Sequence, residues 1–487
     1  MPADPLDDVR AETARYGYGL RLGAARPPAG GFVAPEHSLL ALGPPRSGKT
    51  STLVVPNVLS ACGAVVTTST KPDVALATSR ARRRVGECLL FDPRGGAGEV
   101  AAAAGLRPVG WSPVRGSLHW DGATLMAETM VRTSRPGQLL GEAAHWVERA
   151  QALLAPAFHA AALDEMSMPA LLSVVDRREG RELRAILARH DSPGSAHGTG
   201  IALDALDGVL ATDEREQSGI WSTAASVLSA YRSERALATT SLPSIDFDAL
   251  VRGGDTLYIC SSADGQRQAA PIVGGLLRDA RAAAYKAAAA GDLGVACRRP
   301  PFLLLLDEVA NIAPLHDLPS LVSEGGGQGV VTLACLQDLS QAEARWGREG
   351  AGLLSIFNTK VIFPGIADVR TLEAVSKLAG TQEVMAVSSS DGPRRTGLPG
   401  LLGRRGPDRH TYSTRLVPRL PVDRIASGEP GRVVCIDGAT PSALELRPWF
   451  EVARFRTLVE AARTLEQPGR VPVLARSTVE GRGRRAP

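Results

Sequence analysis

His37-Ser-Leu-Leu-Ala-Leu-Gly43-Pro44-Pro45-Arg46-Ser47-Gly48-Lys49-Thr50-Ser51 is the stretch whose reading decides the fold. His37–Leu42 reads as a short buried strand. Residues from Thr50 to Cys62 read as a helix, bent or interrupted near Pro56. Between them, Gly43-x4-Gly48-Lys49-Thr50 has the spacing of a phosphate-binding loop, in the strand–loop–helix setting such a loop requires. Its glycines let backbone N–H groups turn inward around phosphate oxygens, and the helix start adds its positive end. Lys49 is expected to neutralise the β- and γ-phosphates of ATP, and Thr50 to offer its hydroxyl to Mg²⁺. Residues 43–51 are thus the expected cradle for the nucleotide.

Strands and helices alternate outward from this loop. Ala64–Thr68 and Glu87–Phe91 read as strands, with a helix at Val74–Arg84 between them. The pattern changes after Trp111-Ser-Pro. Gly141–Ala162, Met168–Arg189 and Ser218–Leu237 show helical periodicity with few β-branched runs. Strands return at Thr256–Cys260, Phe302–Leu306, Val330–Leu336, Lys360–Phe363 and Arg432–Ile436, with a helix at Ala269–Ala290. The expected class is α/β, a doubly wound parallel sheet carrying an inserted all-α domain. The expected bounds are 1–114 and 245–466 for the two parts of the nucleotide-binding domain, 115–244 for the insert and 467–487 for a disordered tail. Residues 1–36 read as loop-rich, and 387–409, rich in Ser, Gly, Pro and Arg, as a mobile loop.

The second half of a nucleotide site needs an apolar strand ending in acids. Phe302-Leu303-Leu304-Leu305-Leu306-Asp307-Glu308 supplies it. Asp307 is expected in the Mg²⁺ shell and Glu308 as the base that polarises the attacking water. Gln337, after the strand Val330–Leu336, suits the γ-phosphate sensor found at a neighbouring strand end in sheet ATPases of the RecA kind. Lys71 and Asp92 also fall at the carboxyl edge, where α/β ligands bind.

Composition sets bounds around this reading. The 487 residues suit two or three domains, and 44% hydrophobic content supports a core. A net charge of +4 does not by itself announce a nucleic-acid binder. Lysine occurs only at 49, 71, 286, 360 and 377 in an arginine-rich chain, which makes Lys49 conspicuous. Cys62, Cys88, Cys260, Cys297, Cys335 and Cys435 stand singly without metal spacing, so buried thiols in a reducing cytoplasm are expected rather than zinc. The start, MPADPLDDVRAE, lacks the pattern of a signal peptide, and no stretch reaches the ~18 apolar residues of a membrane span. The expected location is cytoplasmic, or peripheral at the inner face of the cell membrane.

These residues together resemble the coupling-protein ATPases of type IV secretion and conjugation, the TraG/TraD group. The likeness rests on Gly43–Thr50 with Val54-Val55-Pro56-Asn57, Thr68-Ser69-Thr70-Lys71-Pro72-Asp73, Ser218-Gly-Ile-Trp-Ser-Thr-Ala224, Leu305-Leu306-Asp307-Glu308-Val309-Ala310-Asn311, Ser323-Glu324-Gly325 and Leu336-Gln337-Asp338. It runs from about residue 35 to 450. The resemblance implies a RecA-like motor assembled as a homo-hexamer, linking single-stranded DNA or a secreted protein to the membrane subunits of a type IV channel. Two departures stand out. Typical members begin with transmembrane helices. Many also carry an arginine just after the Glu-Gly, acting on the neighbouring subunit's ATP; here the segment reads Glu324-Gly325-Gly326-Gly327-Gln328. Arg345, Arg348 and Arg370 are the candidate substitutes. Arg394, Arg395, Arg404, Arg405 and Arg409 are candidates for gripping a DNA backbone, and the 4% aromatic content disfavours base stacking. Trp146 and Trp221 read as core. Two rival readings remain, a double-stranded DNA translocase and a nucleotide-binding substrate receptor without motor activity.

Overall fold

The computed structural model describes residues 4–23, 31–134, 142–192, 197–261, 266–390 and 409–465. Ten strands form one sheet: β1 (Leu39–Leu42), β2 (Val65–Ser69), β3 (Cys88–Phe91), β4 (Arg107–Pro108), β5 (Thr256–Cys260), β6 (Phe302–Leu306), β7 (Val330–Leu336), β8 (Thr359–Ile362), β11 (Arg432–Asp437) and β12 (Thr440–Glu445). Their order is β12-β11-β8-β1-β7-β6-β2-β5-β3-β4. The pairs from β8 to β4 are parallel. The expected all-parallel character fails at one edge, where β11 runs antiparallel to β8 and β12 to β11. A tight turn, Asp437-Gly438-Ala439-Thr440 with Gly438 at φ 58°, folds β12 back on β11 as a hairpin. Two further strands, β9 (Thr381–Ser390) and β10 (Arg409–Pro418), pair only with each other.

Burial on both faces explains the nearly continuous apolar strands. Alternate residues feed two cores. Leu39, Ala41, Val65, Leu303, Leu305 and Leu333 pack with helices Val55–Ser60, Asp73–Arg82 and Ala453–Leu465. Leu40, Leu42, Val66, Leu304, Leu306 and Leu336 face the opposite layer. There the helices Trp120–Ser134, Glu142–Leu163, Met168–Arg177, Gly180–His190, Thr199–Leu210, Glu214–Val227, Glu234–Thr239 and Phe247–Gly253 all lie between β4 and β5 in sequence. Helices Trp120–Ser134 and Phe247–Gly253 pack on helix Gln266–Ala289, and Glu142–Leu163 packs on Trp120–Ser134 and gathers Gly180–His190, Thr199–Leu210 and Glu214–Val227 around it. The indole of Trp111 donates to Asp279 at 2.9 Å, and Gly275 leaves room for its ring: a Cβ there would sit 2.4 Å from it.

Several boundaries differ from expectation for local reasons. The helix after the phosphate loop opens as a wide turn over Thr50–Val54, with the Val55 N–H on the Thr50 carbonyl, and becomes regular at Val55–Ser60. Pro56 lies in that first regular turn, where a missing N–H is harmless. Residues 168–189 form two helices, because Arg178 takes a left-handed φ of 57°. The 218–237 stretch ends its regular helix at Val227 and restarts at Glu234. The loop-rich start contains a helix, Pro5–Arg15, capped by the Asp4 carboxylate on the Leu6 N–H. Residues 387–390, expected in a mobile loop, belong to β9. Arg394, Arg395, Arg404 and Arg405 and the expected tail lie outside the described residues, as does the Arg409 side chain.

Candidate nucleotide site

The sheet order places the sequence-predicted residues. β7 lies between β1 and β6, so the loop after β1, Gln337 after β7 and Asp307-Glu308 after β6 share one carboxyl edge. The connection leaving β1 covers one face and that leaving β7 the other, which opens a crevice there.

The loop has the shape of a cradle. The Gly43 N–H stays on the Leu336 carbonyl at 3.2 Å. Gly48, at φ 98°, holds a backbone that side-chain-bearing residues avoid. Arg46, also left-handed at φ 63°, is a strained non-glycine within the same turn. Pro44, Pro45, Ser47 and Ser51 complete the loop; the Ser51 hydroxyl donates to the Gly48 carbonyl at 3.2 Å. The Lys49 ammonium folds into the loop and donates to the carbonyls of Gly43 at 2.5 Å and Pro44 at 2.9 Å. Burial lowers its pKa, against the pull of Cys335, Asp307 and Glu308.

One contact joins the two halves across 257 positions: the Thr50 hydroxyl donates to the Asp307 carboxylate at 2.6 Å. Asp307 is 6% exposed. Burial pushes its carboxyl up to about 6, partly offset by the Thr50 hydroxyl and the Lys49 charge. A hydroxyl beside a carboxylate is an all-oxygen donor pair of the kind Mg²⁺ takes. The Thr68 hydroxyl, at the end of β2, holds the Asp307 main-chain carbonyl at 2.9 Å.

Glu308 adopts φ 52° and ψ 47°, a strained conformation for glutamate. The Asn311 amide, from helix Val309–Ile312, donates to its carboxylate at 3.3 Å. The Gln337 N–H is held by the Gln341 side chain at 2.9 Å, and Asp338 caps helix Leu339–Trp346.

Other candidates lie elsewhere. Lys71 and Asp92 line a separate cavity beyond β2 and β3. Arg370 pairs with Glu343 at 3.1 Å, Arg348 opens an exposed turn, and Arg345 lies on helix Leu339–Trp346. Trp221 is 3% exposed, and Trp146 packs over Gly219, whose Cβ would sit 2.3 Å from its ring. Among the described residues no group of three or more His, Cys, Asp or Glu is placed to hold a metal ion, and no helix is long and apolar enough to cross a membrane.

Sequence reading missed the walls beside the loop. A cavity of about 500 Å³ is bounded by Ser47, Thr52, Glu429, Arg432, Glu445 and Arg447. An adjoining one of about 390 Å³ adds Phe363, Pro364 and Gly365. Nothing in the loop motif points to residues some 380 positions away; only the β8–β11–β12 edge brings them there.

Comparison with known proteins agrees with this architecture. Residues 8–398 match the family described as Type IV secretory system Conjugative DNA transfer. A conjugal transfer protein TraG of Escherichia coli is 24% identical over 381 residues, covering 74% of this chain and 58% of the relative. A second Escherichia coli TraG is 25% identical over 416 residues, covering 80% and 63%. The chain thus spans about three-fifths of the length of these curated relatives. Among solved structures, the bacterial conjugative coupling protein TrwBdeltaN70 superposes with a TM-score of 0.62 at 17% identity, covering 90% of this chain and 91% of that one. TrwB in complex with ADP and Mg²⁺ gives a TM-score of 0.61 at 16% identity, with 89% and 92% covered. At that identity the likeness establishes the shared P-loop fold.

Proposed function

Because this chain belongs to the type IV secretory family of conjugative DNA transfer proteins, we propose that it is an ATP-driven motor that passes DNA toward a secretion channel. The observation that carries this reading is the Thr50–Asp307 contact, which closes the phosphate loop onto the acid-ended strand with Gln337 between them. In this reading Gly43 to Ser51 wrap the phosphates of ATP and Lys49 neutralises them. Thr50 and Asp307 would hold Mg²⁺, which when bound would offset the charge that develops on the phosphates. Glu308 takes the proton of the attacking water, its carboxylate oriented by Asn311. Gln337 lies where the γ-phosphate would be sensed. The cavities at Ser47, Phe363 and Arg432 would receive the nucleoside. The domain division follows: residues 1–114 and 245–466 as the motor body, 115–244 as its helical insert, with chains assembling as a homo-hexamer on single-stranded DNA and docking on membrane subunits.

Steady-state ATP hydrolysis with and without single-stranded DNA tests this. Glu308→Gln should lower turnover by about 10²–10⁴-fold while nucleotide still binds. Lys49→Ala should lose nucleotide affinity. Hydrolysis at an unchanged rate in Glu308→Gln would sink the mechanism. A second reading, a nucleotide-binding substrate receptor, is favoured by one observation: Gly326-Gly327-Gln328 holds no arginine. Intact ATP binding with a flat, near-zero rate on DNA would establish it instead.

A further inference from the structure

A cavity of about 340 Å³ opens at the same carboxyl edge, over the ends of β2, β5 and β3. β5 and β3 lie two and three strands from β6, about 10 and 14 Å at ordinary strand spacing. Three cationic residues from three separate segments line it: Lys71 after β2, Arg94 after β3, and Arg235 at the start of helix Glu234–Thr239. Among the described residues its one acidic wall residue is already occupied. The Asp92 carboxylate accepts the N–H groups of Arg94 at 2.9 Å, Gly96 at 2.5 Å and Ala97 at 2.7 Å. The Arg94 guanidinium is steadied by Gln268 at 2.8 Å. Gly95, at φ 65°, lets this turn approach the Arg235 carbonyl; a Cβ there would lie 2.7 Å from that oxygen. Lys71 and Arg235 are exposed and make no ion pair with a described residue. The remaining walls are small or apolar, Val100, Ala97 and Pro72 among them, with the hydroxyl residues Thr70 and Ser233, and no aromatic ring lines the cavity among the described residues.

We infer that Lys71, Arg94 and Arg235 form a second phosphate-binding site, separate from the nucleotide loop, that grips the backbone of single-stranded DNA without reading its sequence. This rests on the motor reading above and deepens it. Three cations spread over three segments, with no aromatic ring among the described walls, suit phosphodiester contact, which positions a strand and carries no sequence information. The cavity also has a short path to the nucleotide. Lys71 is three residues beyond Thr68, whose hydroxyl holds the Asp307 carbonyl, so a phosphate gripped at Lys71 pulls on the strand that supports the Mg²⁺ acid.

The test uses the full chain with ATP and a fluorescent oligo(dT), followed by anisotropy across salt concentrations. The Lys71→Ala/Arg235→Ala double variant removes two exposed side chains, so circular dichroism and nucleotide affinity should match wild type. Oligonucleotide binding should weaken about tenfold, and the slope of log K against log salt should become shallower by ~1.4. Wild-type affinity and slope in the variant would overturn the site while leaving the motor reading intact. No oligonucleotide binding by wild type would overturn both. Titration with inorganic phosphate separates the two sources of this chemistry. Loss of phosphate binding in the variant with oligonucleotide binding unchanged would make this a small-anion site and refute the DNA assignment.

Discussion

Asp307 meets opposing demands. A carboxylate at 6% exposure is poorly solvated, so burial raises its pKa to about 6; the Thr50 hydroxyl and the Lys49 ammonium partly compensate the charge. In the nucleotide-free, metal-free protein this has a definite sign. The folded pKa lies above the ordinary aspartate value of 3.8. The folded state therefore holds the proton more tightly than the unfolded chain. The associated stability is fully present below about pH 3.8 and is lost as pH rises through about 6. Asp307→Asn removes the buried charge. Its thermal denaturation midpoint should exceed that of wild type at pH 7.5, by about 1–3 kcal/mol of stability, and the gap should narrow as pH falls below about 6 and close near pH 3.8. A constant gap across pH 5–7.5 would show that Asp307 is not the titrating group. The same variant should bind Mg²⁺ and nucleotide poorly, the trade-off expected where function requires a charge that folding disfavours.

At the scale of elements, the Arg82 side chain ties the end of helix Asp73–Arg82 to the sheet, beside the apolar packing of that helix. Arg82 is fully buried, and its guanidinium donates to the carbonyls of Ala61 at 2.6 Å, Gly63 at 2.8 Å and Gly254 at 2.9 Å, and to the Thr256 hydroxyl at 2.8 Å. These acceptors belong to the turns that enter β2 and β5. Truncation to Arg82→Leu would strand several buried acceptors, so urea denaturation should show a loss of about 3 kcal/mol or more. A change below about 0.5 kcal/mol would mean that water replaces the guanidinium. Nothing in the sequence marks Arg82 among so many arginines, because its partners are backbone carbonyls that no motif names. By contrast, the strand–loop–helix at Gly43 and the acid-ended strand at Asp307 were legible because their chemistry is written in consecutive residues. Long apolar runs such as Val330–Leu336 were legible as strands because both faces are buried. The break at Arg178 and the β9–β10 ribbon were not: the first depends on one dihedral angle, and the second pairs segments that residues 391–408 separate in sequence. The cavity walls at Glu429–Arg447 depend on an edge reversal that strand periodicity does not encode.

At the scale of the whole molecule, the two ends of the sheet lie too far apart for one side chain to join them. The nucleotide loop, Asp307 and Gln337 occupy the carboxyl edge of the sheet. The turn Gly326–Gln328, where the family resemblance expects an arginine, sits at the amino end of β7 against Glu36. β7 spans seven residues, roughly 23 Å, so a side chain on that turn cannot reach its own nucleotide. An arginine there would act only on a neighbouring copy, in a head-to-tail contact that closes into a ring. The turn has space for one at a single glycine. A Cβ at Gly326 would lie 2.1 Å from the Glu36 carbonyl, whereas at Gly327 nothing lies within 4 Å. Gly327→Arg should therefore leave folding unchanged. If the chain assembles as a ring, it should raise DNA-stimulated ATP turnover by at least about tenfold, since such arginines contribute 10³–10⁵ in related phosphoryl transfers. The gain should rise steeply with protein concentration, in step with assembly followed by light scattering, and should vanish at dilutions where the chain is a monomer. It should also disappear in the Gly327→Arg/Glu308→Gln double variant, because a neighbour's arginine stabilises charge but does not activate water. An enhanced rate that persists in the dilute monomer would place the new arginine in its own site and contradict the edge-to-edge geometry. An unchanged rate at concentrations where rings form would show that this turn does not face the neighbour's nucleotide.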